Sequence, residues 1–144
     1  VCNTTMLFCA DFGMNMSIAC PKGIVPNAGI WELAQKRAAL TGARIEITDD
    51  FDEALAGADI VYGMTHYAMG HTPEEIEQLR KAFRPYQITM DAMSKADSQA
   101  IFMHCLPAHV EVTDEVMECS QSVIFDEGEN RMHAMKGILS AVAL

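Results

Sequence analysis

The segment AIFMHCLPAH, residues 100–109, decides how the chain is read. Its first half, AIFMHC, is an apolar run of the length that a buried strand needs. Its second half places a thiol, two histidines and a proline where that strand runs out. A polar cluster at the tail of a buried strand has a physical reason when the strand belongs to a parallel sheet. Ligands sit beyond the carboxyl ends of such strands, where loops and helix starts converge.

Working outward, similar short apolar runs occur at MSIAC (16–20), ARIEIT (43–48), ADIVYG (58–63) and SVIFDE (122–127), and each is expected to be a strand. Helical patterns lie between them: TTMLFCADFGM at the start, NAGIWELAQKRAAL ending at Gly42, FDEALAG, TPEEIEQLRKAF and TDEVMEC. TPEEIEQLRKAF carries Thr72 as cap, Pro73 at the first helical position and Glu75 completing a capping box. A last helix is expected from about Glu129, with Ile138, Leu139 and Val142 on one face. Strands separated by helices over 144 residues predict a single α/β domain, three-layered, with a mostly parallel sheet covered by helices on both faces. Three strand ends are then candidate ligand loops: after Tyr62, after His104, and DEGENR after Phe125. The chain opens on a helical pattern, whereas such folds open on a strand, so the first strand is expected to be missing and supplied by another chain. A homodimer that completes the sheet is the expected assembly, because open sheet edges leave backbone groups unpaired.

The formal charge of −10 excludes nucleic acid and anionic membrane as partners, since both require a basic face. No apolar run is long enough to span a bilayer, and the expected partner is a small molecule. Five cysteines without a CxxC pair (Cys2, Cys9, Cys20, Cys105 and Cys119) fit reduced thiols in a cytoplasm better than a disulfide framework. The 11 methionines are read as core filling. Trp31, early in an amphipathic helix, and Tyr67 are read as packing groups, and the acidic DEGE at 126–129 as a solvated helix start.

FMHCLPAH, followed by EVTDEVME and SVIFDEGENRMHAMKGIL and preceded by ADIVYGMTHYAMG, resembles the C-terminal, ornithine-binding half of the ornithine carbamoyltransferases, over essentially the whole chain. The resemblance implies a Rossmann-like fold and attack of a side-chain amine on carbamoyl phosphate. It places Cys105 and His104 beside the amine, the Leu106 carbonyl on the carbamoyl nitrogen, and Arg131 on carbamoyl phosphate, a task suited to a forked, permanently charged guanidinium. Asn3, Met69, His66 and His109 would line the substrate pocket. The family's DVWxSMG segment reads GMTHYAMG here, with Met64 in place of the Asp that grips the amino group and Ala68 in place of the Ser. The loop AHVEVTDE is shorter than the usual AHRGEEVTDE. The family's carbamoyl-phosphate half, with its SxRTR signature, lies outside this sequence, so the chain alone is not expected to be a competent transferase.

Two other readings stay open. Cys105 could be the nucleophile of a small ester or lactone hydrolase, with His109, His66 or His133 as base, because adjacent His104 points to the opposite face of a strand. Alternatively, the chain could be a noncatalytic module that assembles through its sheet edge. No cofactor and no metal are expected; were a metal held, His66, His104 and His109 would be its donors.

Overall fold

A computed structural model describes residues 1–143. Seven α-helices and four strands follow one another along the described chain: α1 (Cys2–Phe12), β1 (Met16–Ala19), α2 (Ala28–Thr41), β2 (Ile45–Thr48), α3 (Phe51–Leu55), β3 (Ile60–Gly63), α4 (Pro73–Phe83), α5 (Met90–Met93), β4 (Ile101–His104), α6 (Asp114–Met117) and α7 (Ile124–Val142). A 3-10 turn covers Arg84–Tyr86. The strands are parallel, as expected, and form two pairs: β1 with β2, and β3 with β4. The chain divides into two compact units, one made of 1–56 with 66–86 and the other of 57–65 with 87–144.

In the first unit, small residues let two helices and a strand pair close on one another. Met6, Cys9 and Ala10 of α1, Ala34 and Ala38 of α2, and Ile18 and Ile45 of β1 and β2 form the buried core, with Trp31 and Phe83 packed against it. Trp31 is therefore a packing group. Gly13 ends α1 at φ 71°, its N–H bonded to the Cys9 carbonyl, a backbone conformation that side chains disfavour. Arg37 then ties α2 to α1 through Asp11 at 2.7 Å, and the Thr41 hydroxyl donates to the Ala10 carbonyl at 2.7 Å. The predicted capping box of α4 is present: Thr72 Oγ1 accepts from Glu75 N, and Glu75 Oε2 accepts from Thr72 N at 2.7 Å.

Burial pushes the thiols of Cys2, Cys9 and Cys20 above their ordinary value of 9.0. The unfolded thiols ionise near that value while the folded ones stay neutral, so unfolding releases protons at alkaline pH. Stability is thus fully present below pH 9 and declines as pH rises above it. Melting curves at pH 8 and pH 10 should show a lower Tm at pH 10, and a smaller drop in Cys9→Ser, compared with its own Tm at pH 8.

The second unit is built around Phe102, fully buried on β4, with Val61, Ala92, Met93, Val112, Val116 and Ile124 also buried. SVIFDE is not a strand. Ser122 makes a single bridge to Phe102, and α7 begins at Ile124, five residues before the expected start. Asp126 and Glu127 fall in the first turn of α7, where the helix dipole favours negative charge, and this local preference prevails over the apolar run SVIF. The α7 face carrying Ile138, Leu139 and Val142 is exposed.

Candidate functional site

The register of the second unit pairs Tyr62 with Met103 and Gly63 with His104, so the two parallel strands end level with one another. Met64 and Cys105 are the first residues past those ends. Beyond β4 the chain makes a turn whose conformation is unusual: Leu106 has φ 41°, and the Leu106–Pro107 peptide is cis. A left-handed leucine costs roughly 1 kcal/mol and persists only where neighbours over-determine it.

Those neighbours are His104 and Glu111, each 1% exposed. The Leu106 N–H donates to His104 Nδ1 at 2.9 Å. Nδ1 is thereby an acceptor, and the ring proton resides on Nε2, which donates to Glu111 Oε1 at 3.1 Å. The same oxygen accepts from the His109 N–H at 3.0 Å, and the Thr65 hydroxyl lies 3.4 Å from it and 3.2 Å from the Pro107 carbonyl oxygen. One buried carboxylate thus gathers the tail of β4, the far side of the turn and the tail of β3. His104 faces inward with both ring nitrogens engaged, and its work is to hold the turn. Cys105 and Leu106 are left at the surface of the turn, half-buried and exposed respectively.

A second carboxylate fixes α7 to the same strand ends. Glu127 accepts from the Tyr62 hydroxyl at 2.6 Å and, through its other oxygen, from the His104 N–H at 2.9 Å. Burial first, then the hydrogen bond and charge of Glu127, push the Tyr62 hydroxyl far above its ordinary value of 10.0, so it remains a donor. Glu127 is therefore bonded inward, although the sequence reading put DEGE in solvent. Arg131 lies one helical turn beyond Glu127 on the same face of α7, exposed and without an ion pair among the described residues. The second unit thus brings Cys105, His104, Leu106, His109 and Glu127 of α7 to the carboxyl end of β3 and β4.

Burial is also the main influence on Cys105, raising its thiol above 9.0, with Glu127 and Glu111 adding to the rise and a backbone hydrogen bond opposing it. A thiol of this kind is neutral at pH 7 and a poor nucleophile. Alkylation of Cys105 by iodoacetamide, mapped by mass spectrometry, should be slower at pH 7.5 than that of free cysteine and should still accelerate above pH 9.

The other expected site residues belong to the first unit. Asn3 is exposed on the first turn of α1. His66 stacks on Phe83, with centroids 4.2 Å apart and 16° between planes. Arg80 lies over the Tyr67 ring at 5.4 Å, so Tyr67 packs against a helix. The Ala68 N–H donates to His71 Nδ1 at 3.1 Å, and the Met69 side chain is fully exposed. No group of three or more His, Cys, Asp or Glu side chains suited to a metal occurs among the described residues. Nor is any helix among them long and apolar enough to cross a membrane. Glu111, Glu127, Tyr62 and Thr65 were not foreseen as site residues. Their signal was faint: Glu111 opens the EVTDE run that carries the family resemblance, but nothing in a sequence shows that a carboxylate faces inward.

Comparison with known proteins gives one consistent answer. Residues 1–142 match the family described as aspartate/ornithine carbamoyltransferase, Asp/Orn binding domain. The ornithine carbamoyltransferase of Methanothermobacter thermautotrophicus is 46% identical over 141 residues, which is 96% of this chain and 46% of that protein. Among solved structures, the anabolic ornithine carbamoyltransferase of Campylobacter jejuni superposes with a TM-score of 0.91 at 38% identity, covering 97% of this chain and 46% of that one. The ornithine carbamoyltransferase of Pyrococcus furiosus gives 0.90 at 37% identity, covering 97% and 45%. The chain thus spans a little under half the length of these relatives and has their Rossmann-like α/β fold. Matched over residues 1–142, the chain that carries this turn is a member of the aspartate/ornithine carbamoyltransferase family, corresponding to the Asp/Orn-binding domain.

Proposed function

We propose that the chain serves as the amino-acid-binding half of a carbamoyltransferase, inactive until a carbamoyl-phosphate-binding half is present. In this reaction the acceptor amine attacks the carbamoyl carbon. The new C–N bond forms, the bond from that carbon to the phosphate oxygen breaks, phosphate departs, and the amine gives up its proton. Such chemistry gains most from oriented reactants and from fixed dipoles at the developing charge. The observation that carries this reading is the Cys105–Leu106 turn, locked from behind by His104 and Glu111 so that a neutral thiol and a backbone carbonyl remain for the substrate. Cys105 and the Leu106 carbonyl would contact amine and carbamoyl nitrogen, and Arg131, uncommitted to any ion pair among the described residues, would meet the phosphoryl oxygens. His104 then serves as a positioning residue. His109 would line the amino-acid side.

The thiol pushed upward by burial weighs against a Cys105 hydrolase, and no observation favours the noncatalytic alternative. The assembly proposed is a homodimer, formed through the outer edge of a two-stranded sheet such as β3, where Ile60 is exposed. Five free cysteines support a cytoplasmic location.

The test is complementation. The chain is mixed with the carbamoyl-phosphate half of a relative, and formation of a ureido amino acid from carbamoyl phosphate and an amino-acid amine is measured. Product is expected only with both halves, with at least a hundredfold loss in Arg131→Ala. A wild-type rate in Arg131→Ala, or no product with a complementing half that is active with its own natural partner, would overturn the reading. Light scattering of the free chain tests the dimer, and a monomer at all concentrations would remove that part.

A further inference from the structure

The core of the first unit is rich in sulfur. Met6, Cys9 and Cys20 are among its buried residues, Cys2 and Met16 pack against it, and no carboxylate or imidazole belongs to it. Cys2, Met6 and Cys9 recur at helical spacing on the inward face of α1, while Ile18 and Cys20, two residues apart, face the same core from β1 and its tail.

Only residues 13–15 separate α1 from β1, so the strand runs back beside the helix that it follows. With about 1.5 Å of rise per helical residue and about 3.3 Å per strand residue, the run from Met16 to Cys20 retraces about nine residues of α1 and ends level with its first turn. Cys2 stands in that turn. Side chains on a helix lean toward its start, which carries the Met6 thioether over the same turn. Cys2 and Cys20 also influence each other electrically: burial foremost holds the Cys2 thiol above 9.0, with Cys20 adding to the rise.

Both thiols are free. Cys20 is 7% exposed and Met6 0%, whereas Cys2 is half-buried and offers a way in. Magnesium and calcium require oxygen donors, and structural zinc takes four nitrogen or sulfur ligands. A set made only of two thiols and a thioether, with apolar walls, suits a soft cation instead.

We propose that Cys2, Cys20 and Met6 form a binding site for a soft monovalent cation of the copper(I) class. The ion enters, the two thiols release their protons to solvent, and two copper–thiolate bonds form with the thioether as third ligand. No electron is transferred. The bound ion leaves one negative charge in place of the two that separate thiolates would carry, which is what makes ionisation tolerable in an apolar core.

The experiment is an anaerobic titration in which the chain competes with bicinchoninate for copper(I), followed by the colour of the chelator complex. The chain is expected to withdraw one ion. Affinity should fall by roughly a hundredfold in Cys2→Ser and in Cys20→Ser and by roughly tenfold in Met6→Leu, with no change in Cys119→Ser. Circular dichroism checks that each variant folds, and Cys20→Ala replaces Cys20→Ser if the buried hydroxyl unfolds it. X-ray absorption at the copper edge should show sulfur neighbours alone. No ion withdrawn from bicinchoninate, unchanged affinity in a folded Cys2 or Cys20 variant, or nitrogen or oxygen neighbours around the copper would each overturn the site.

Discussion

Glu111→Ala is expected to lower the unfolding free energy by about 3 kcal/mol, because one oxygen of its carboxylate is the shared acceptor for the His104 ring and the His109 N–H. Removing it leaves His104 Nε2–H facing a buried void and takes the acceptor from the part-buried His109 N–H, and a stranded buried donor costs about 1–3 kcal/mol. The damage should be local as well as global. With the ring of His104 no longer anchored, the Leu106 N–H loses a fixed partner, and the left-handed turn loses what over-determines it. Urea unfolding gives the first number, and amide exchange at Leu106 and His109, faster than in the unaltered chain, gives the second. A loss below about 1 kcal/mol, with unchanged exchange, would mean that the buried pair is not what holds the turn.

Gly63→Ala should be nearly as costly, at about 2–3 kcal/mol, for the opposite reason: it adds an atom where there is no room. A Cβ at Gly63 would lie 2.7 Å from His104 Cδ2 and 3.2 Å from Phe102 Cε2 and Cζ. Neither ring can swing into solvent, since Phe102 and His104 are essentially fully buried. Gly63 is thus the position at which β3 passes close enough to β4 for the His104 ring to reach Glu111. A smaller loss with the fold retained would show that the His104 ring can move aside, and transferase activity in the complemented protein should then fall. Wild-type stability together with wild-type activity would contradict the described packing.

The parts of the fold set by local rules were legible in the sequence. Thr72, Pro73 and Glu75 announce the start of α4 because capping is a matter of four consecutive residues. MSIAC, ARIEIT, ADIVYG and AIFMHC contain the four strands because a buried parallel strand is a short apolar run between helices. SVIFDE misled for the same reason: its apolar half matches a strand, while its fate is decided by Asp126 and Glu127 at a helix start and by a partner, Tyr62, that lies 65 residues away. Site residues followed the same division. Cys105 and Leu106 could be placed at a strand end by position alone. That His104 turns inward, that Glu111 is buried, and that His66 lies on Phe83 are tertiary facts without a local signature. The methionines illustrate both cases, since Met6 and Met93 fill the core as expected, whereas Met64 stands at the rim and Met69 in solvent.

The proton on the His104 ring reports most directly on whether the turn is held as described. Long-range nitrogen–proton correlation spectra of the imidazole, at neutral pH and assigned by comparison with His104→Gln, distinguish the two tautomers and the cation. The described hydrogen bonds require a neutral ring protonated on Nε2, with a bare Nδ1 accepting from Leu106. A ring protonated on Nδ1, or on both nitrogens, would contradict them, and with them the preorganised turn on which the functional reading stands.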